Sequence, residues 1–194
     1  MQPQWSAEMR RGLTPSQTVG PYLHIGFDWL SAADLVTPDT PGEHILIEGQ
    51  LIDADGVAVP DGLIEIWQAD AQGVYSHHED GQPPTKGFQG FGRCATDADG
   101  RFHFSTIKPG RVVGVDGRLQ APHVLVNVFA RGLLKQVVTR IYFSGDAHDE
   151  DFVLQQVPAA RRDTLIAKPD PHRERCFLWQ IALGGSNETV FFEI

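Results

Sequence analysis

From His123 onward the chain alternates. Val124, Val126 and Val128 fall on one side of an extended strand, and His123, Leu125, Asn127, Phe129 and Arg131 fall on the other, because a strand turns its side chains over with period two. At about 3.3 Å per residue, His123 and Arg131 are expected roughly 26 Å apart along a straight strand. That is too far for both to serve one site within the chain. Other segments carry strand signals too. Ile45 to Ile52 is rich in strand formers and runs into the turn DADG at Asp53 to Gly56. Leu63 to Gln68 (LIEIWQ) follows. Phe102 and Phe104 alternate with Arg101, His103 and Ser105 directly after a further DADG at Asp97 to Gly100. Val137 to Phe143, Cys176 to Leu183 and Thr189 to Phe192 complete the series.

Short strands separated by Gly, Pro and Asp turns predict a mainly β fold, an antiparallel two-sheet β-sandwich with long loops. One short helix is predicted where Pro158 opens AARRDTLIA, since proline suits a first helical turn. Residues 1–43 have little periodicity. TPSQTVGPY, Thr14 to Tyr22, is rich in Pro, Gly and hydroxyl residues and reads as an extended arm. We therefore expect an N-terminal arm with loops over 1–43 and a β-sandwich domain over 44–194.

Composition narrows the function classes. A chain of 194 residues is most simply one domain. Its net charge of −9 argues against nucleic acid, which needs a basic footprint. An anionic small ligand would have to be held by a local arginine, because the overall field repels it. The N-terminal residues show neither an apolar core nor a processing site, and no apolar run approaches the roughly 20 residues of a membrane span. We expect a cytoplasmic protein that binds neither membrane nor nucleic acid. Cys94 and Cys176 form no CxxC pair and are expected as buried, reduced thiols.

Several chemistries lack their motifs. There is no GxSxG for a nucleophilic serine, and GFQGFG, Gly87 to Gly92, does not match the phosphate-cradling GxxxxGK[ST]. The aspartates of the DADG turns are expected to shape those turns, because a calcium loop needs a longer ligand series. Tyr75, His77 and His78 lie within four residues of one another and are donors of the kind that suits ferric iron or another first-row metal. The other reading is a polar loop.

At this point LIEIWQADAQGVY, FGRCATDADGRFHFSTIKPG and the downstream APH resemble the intradiol, ferric catechol dioxygenases. TPSQTVGPYLHIG and the closing ETVFFEI resemble in particular the alpha chains of the protocatechuate 3,4-dioxygenases within that family. The resemblance runs from about Thr14 to the C-terminus. It implies a β-sandwich and, in catalytic chains, iron held by a pair of tyrosines and a pair of histidines. On this sequence the first tyrosine falls at Tyr75 and the second at Val112, while the HxH pair falls at His123 and Leu125. An arginine that catalytic chains carry just before that pair falls at Gln120. Valine and leucine offer no donor atom, so the resemblance implies that this chain holds no metal.

What it implies instead is a hetero-oligomer. A beta subunit binds the Fe(III), and this chain completes the pocket for protocatechuate, which is cleaved with O2 between its hydroxyl-bearing carbons to 3-carboxy-cis,cis-muconate. The family positions that border substrate fall at Thr18, Gly20, Pro21, Tyr22 and Arg131. A planar, permanently charged guanidinium suits a benzoate carboxylate. Two other readings stand beside this one. The first is a purely structural or ligand-binding sandwich module; the second is a self-sufficient metalloenzyme using Tyr75, His123 and one of His77 or His78.

Overall fold

The computed structural model describes residues 18, 20, 26, 30–76, 85–114, 117–148 and 150–193. Its strands are β1 (His44–Ile52), β2 (Leu63–Gln68), β3 (Phe91–Ala95), β4 (Arg101–Ile107), β5 (Val112–Val113), β6 (Leu119–Gln120), β7 (His123–Phe129), β8 (Val137–Phe143), β9 (Ile166–Pro169) and β10 (Cys176–Ala182). Alternation of buried and partly exposed positions is plain in β4 and β7. There one side of the strand enters the core and the other meets solvent or a covering layer.

The architecture is mainly β, but the expected antiparallel two-sheet sandwich needs correction. Eight strands form one continuous sheet in the order β3-β2-β7-β8-β9-β10-β1-β4, with β5 and β6 as a separate pair. The sheet folds over itself at β9. Ile166 and Ala167 pair with β8, and the next residues, Lys168 and Pro169, pair with β10. The β8–β9 and β1–β10 pairings are parallel. Hydrophobic period assigns a residue to a face, but it carries no information about which strand lies alongside or in which direction it runs.

The edges β3 and β4 are bridged by residues 32–36. Ala32 exchanges backbone hydrogen bonds with Arg93 of β3, while Leu35 N donates to Ser105 O of β4 and Ser105 N to Ala33 O. This covers strand edges that would otherwise present unpaired backbone groups. Leu35 is fully buried beneath the bridge, and a Cβ on Gly92 would strike its Cδ1. The last part of the expected arm is therefore built into the β body.

The core lies between the two halves of the sheet. Ile45, Ile47 and Leu51 of β1, Phe104 of β4 and Ile181 of β10 face Ile64 and Ile66 of β2, the three valines of β7, and Ile141 and Phe143 of β8. Gln68 crosses this core as a satisfied polar tie. Its side chain accepts from the Thr106 hydroxyl at 2.9 Å and donates to the Ile107 carbonyl at 2.9 Å, and buried amides persist when so partnered.

A smaller cluster of Ala121, Tyr142, Leu154, Val157 and Leu165 covers the outside of β8. It is built by α1 (Phe152–Gln156) and a 3-10 turn at Ala159–Leu165. The expected helix after Pro158 is thus a 3-10 turn that passes straight into β9. The α-helix precedes it, capped by Asp151, whose carboxylate accepts from Leu154 N. The expected strand Thr189 to Phe192 makes a single bridge, Phe192 to Val138, and lies against β8 as a tail. Among the described residues no helix is long and apolar enough to cross a membrane. Both cysteines are buried and unbonded.

Candidate functional site

The positions named by sequence fall into two places, one around His123 and one around Arg131. The first is assembled by turns. Asp70 Oδ1 accepts from Gln72 N and Val74 N, each at 2.9 Å, and Oδ2 accepts from the Thr85 hydroxyl at 2.5 Å. Asp53 and Asp97 close the DADG turns in the same way, each accepting from the amides two and four residues on. This is the local Asx device that makes aspartate a turn former. Gly110 N donates to Asp70 O at 2.8 Å. Gly73 has φ +83°, and a Cβ there would run into the Arg111 carbonyl oxygen. The turn before Tyr75 is thereby fastened to the KPG turn before Val112. The first and second tyrosine positions are brought together by backbone contact.

Val112 is buried and sits opposite Gln120 in the β5–β6 pair. On the β7–β8 pair, His123 is opposite Tyr142 and Leu125 is opposite Arg140. Cross-strand partners share a face, so His123, Leu125, Arg140 and Tyr142 lie on one side of the sheet. Arg140 Nη1 donates to Gln120 Oε1 at 2.9 Å and lies 3.5 Å from the Tyr142 hydroxyl. Tyr142 in turn donates to Asp151 Oδ1 at 3.2 Å, and Asp151 Oδ2 accepts from Ala121 N at 2.7 Å.

The electrostatics follow from this packing. His123 is 4% exposed, and burial pushes its imidazole down to about 4, with the Arg140 guanidinium acting in the same direction. Its Nδ1 lies 2.8 Å from the Ala121 carbonyl, which can only accept, so Nδ1 carries the proton of the neutral ring. Burial raises both Tyr75 and Tyr142 above the ordinary phenol value, and Arg140 opposes the rise in each. These residues do not fit a ferric ion. Two of the four positions, Val112 and Leu125, have no donor atom, and the adjoining side chain from β8 is a cation. His77 and His78, the possible substitutes, lie outside the described residues.

The second place lies beyond the other end of β7. Arg131 follows the strand in an exposed turn, its side chain 65% accessible, with Nε 3.1 Å from Asp61 Oδ2. Gly132 N donates to the Thr18 hydroxyl at 2.9 Å. Gly20, two residues on, has φ +67°, a conformation open to glycine at no steric cost. The structure thus brings Thr18 against the turn that bears Arg131, and it separates that turn from His123 by the length of β7. Pro21 and Tyr22 lie outside the described residues.

A folded-over, mainly β sheet carrying this broken ligand set defines a class. The sequence matches the family described as Dioxygenase over residues 28–185, and the chain belongs to the intradiol ring-cleavage dioxygenases. The particular likeness is to the protocatechuate 3,4-dioxygenase alpha chain of Burkholderia cepacia, 40% identical in an alignment of 196 positions that covers 93% of this chain and 97% of that one. The protocatechuate 3,4-dioxygenase beta chain of the same organism is 40% identical over 134 residues, 66% of this chain and 56% of its own length. Among solved structures, hydroxyquinol 1,2-dioxygenase from Pseudomonas putida DLL-E4 superposes with a TM-score of 0.62 at 21% identity, over 78% of this chain and 59% of that one. At that identity the agreement concerns the fold.

Sequence reasoning missed Arg140, Tyr142 and Asp151. A signal for the first two was present, because Val138, Arg140 and Tyr142 alternate along β8 as His123 and Leu125 do along β7. Nothing in the sequence showed that β7 and β8 pair in the register that sets Arg140 against Leu125.

Proposed function

We propose that this chain is the alpha-type subunit of a protocatechuate 3,4-dioxygenase. In this reading a homologous beta chain binds the Fe(III) and carries out intradiol cleavage of 3,4-dihydroxybenzoate with O2 in the cytoplasm. This chain completes the substrate pocket from across the interface. One observation carries the reading: the ligand positions hold Val112 and Leu125, while Thr18 is seated on the Arg131–Gly132 turn with the guanidinium exposed. Such a chain has lost the means to hold iron and has kept an arm and a cation positioned together.

The roles follow from chemistry. Arg131 pairs with the benzoate carboxylate, for which a planar fork of N–H donors is suited. Thr18 fixes the arm to that turn. Gly20 in its left-handed conformation lets backbone approach a flat ring, and Pro21 and Tyr22 are the other substrate-bordering positions of this reading. Orientation of this kind contributes by holding the ring in the reactive pose, without touching the metal chemistry. The arm within 1–43 packs on the partner and 44–194 supplies the β domain, in a higher hetero-oligomer.

The test uses the chain assembled with the iron-bearing beta chain. Arg131→Ala is expected to raise KM for protocatechuate by about ten- to a hundredfold, the loss of one charge-assisted interaction, with iron content unchanged. Arg131→Lys should fall between. An unaltered KM refutes the role of Arg131. Oxygen consumption with protocatechuate by this chain alone, loaded with stoichiometric iron, refutes the whole reading.

A further inference from the structure

The side-chain cluster at the former ligand positions is not simply hydrocarbon. Val112, His123 and Leu125 each have a cross-strand neighbour: Gln120, Tyr142 and Arg140 respectively. Arg140 Nη1 donates to the Gln120 side chain at 2.9 Å and lies 3.5 Å from the Tyr142 hydroxyl. One guanidinium therefore touches the neighbours of two of the positions and is itself the neighbour of the third. It is half-buried, and a guanidinium is a planar, delocalised cation that needs no metal to occupy such a place.

We propose that Arg140 is the resident cation of this cluster and keeps metal ions from it, so that restoring the missing donors does not by itself restore iron binding. The argument is one of position and charge. Arg140 is directly opposed to Leu125, and its guanidinium reaches Gln120 and the Tyr142 hydroxyl, so its charge is held on the face that a metal at positions 123 and 125 would use. At protein-like dielectric, repulsion between a fixed cation and a trivalent ion within about 10 Å is several times thermal energy. Gln120 accepts from the guanidinium and so keeps it over the ligand face instead of letting it turn out to solvent. Replacing Arg140 by glutamine removes the charge and keeps a shorter, polar side chain at that position.

The experiment rebuilds the donors in the full chain with and without the cation. V112Y/L125H is compared with V112Y/L125H/R140Q for iron stoichiometry by mass spectrometry and for the visible tyrosinate-to-iron(III) charge-transfer band. The expected result is a stoichiometric, coloured triple variant and a double variant whose apparent affinity is weaker by roughly a hundredfold. V112Y/L125H/R140K, which keeps a charge, should remain weak. Iron bound equally well by the double and triple variants overturns the proposal. Should the rebuilt chains not fold, the L125H and L125H/R140Q pair decides. It leaves Val112 in place, gives β7 two imidazoles on one face, and is titrated with Co(II) by absorption. A gain of at least about tenfold on removing the guanidinium supports the proposal, and equal affinities overturn it.

Discussion

His123 offers a sharp test of the packing around the former ligand face. Its imidazole is 4% exposed, and it is pushed from the ordinary 6.5 down to about 4, first by burial and then by Arg140, with Ala121 O and Asp151 opposing. Tyr142 packs at 5.9 Å between ring centroids, and His148 in turn meets Tyr142 edge-on at 5.9 Å. Between pH 6.5 and 4 the unfolded chain binds a proton at this residue and the folded chain does not. Stability therefore rises with pH across that window and is lost as pH falls through it; above 6.5 the residue contributes no slope. At about 1.36 kcal/mol per pH unit of separation, the full penalty at the acid end is roughly 3 kcal/mol. Unfolding of the purified wild type and of His123→Gln, followed in parallel from pH 7.5 to 4, isolates the effect, because other titrations cancel in the difference. The wild type should lose stability relative to the variant as pH falls. A difference that stays flat from 6.5 to 4 would refute the burial and charge placement argued here.

The turn that joins the Tyr75 loop to the KPG segment should be intolerant of side chains. Gly73→Ala places a Cβ against the Arg111 carbonyl oxygen at φ +83°. The left-handed backbone alone costs about 1–2 kcal/mol, so a loss of at least that size is expected in chemical unfolding, and a neutral result would contradict the contact. Asp151 accepts from Ala121 N, the Tyr142 hydroxyl and Leu154 N. Asp151→Ala strips a helix cap and leaves buried donors unpaired, for an expected loss of about 2–4 kcal/mol. A cost under about 1 kcal/mol would mean that the three bonds are not formed together.

Much of the β body was legible locally. Leu63–Gln68 and Val137–Phe143 coincide with β2 and β8, and β7 begins one residue before the valine run, at His123. These strands announce themselves because β-branched and aromatic residues alternate between recognisable turns. β3 did not, since its one glycine, Gly92, leaves the room that Leu35 occupies, and that purpose is visible only from the segment that packs there. β9, at four residues, has too little pattern to read. The short helix predicted after Pro158 is present at Ala159–Leu165, wound as a 3-10 helix that passes straight into β9 at Ile166.

The sequence by itself carried the family, and it put Val112 and Leu125, side chains without a donor atom, at two of the four positions where the family resemblance implies iron ligands. It also marked Arg131 and the TPSQTVGPY arm as worth explaining. Only the tertiary structure decided that Thr18 meets the Arg131–Gly132 turn, 114 residues along the chain, and that a cation from β8 stands opposite Leu125. The reason is physical. A donor atom is a property of one residue, whereas a contact between distant segments depends on strand order, register and the folding-over of a sheet, none of which is encoded in any single stretch.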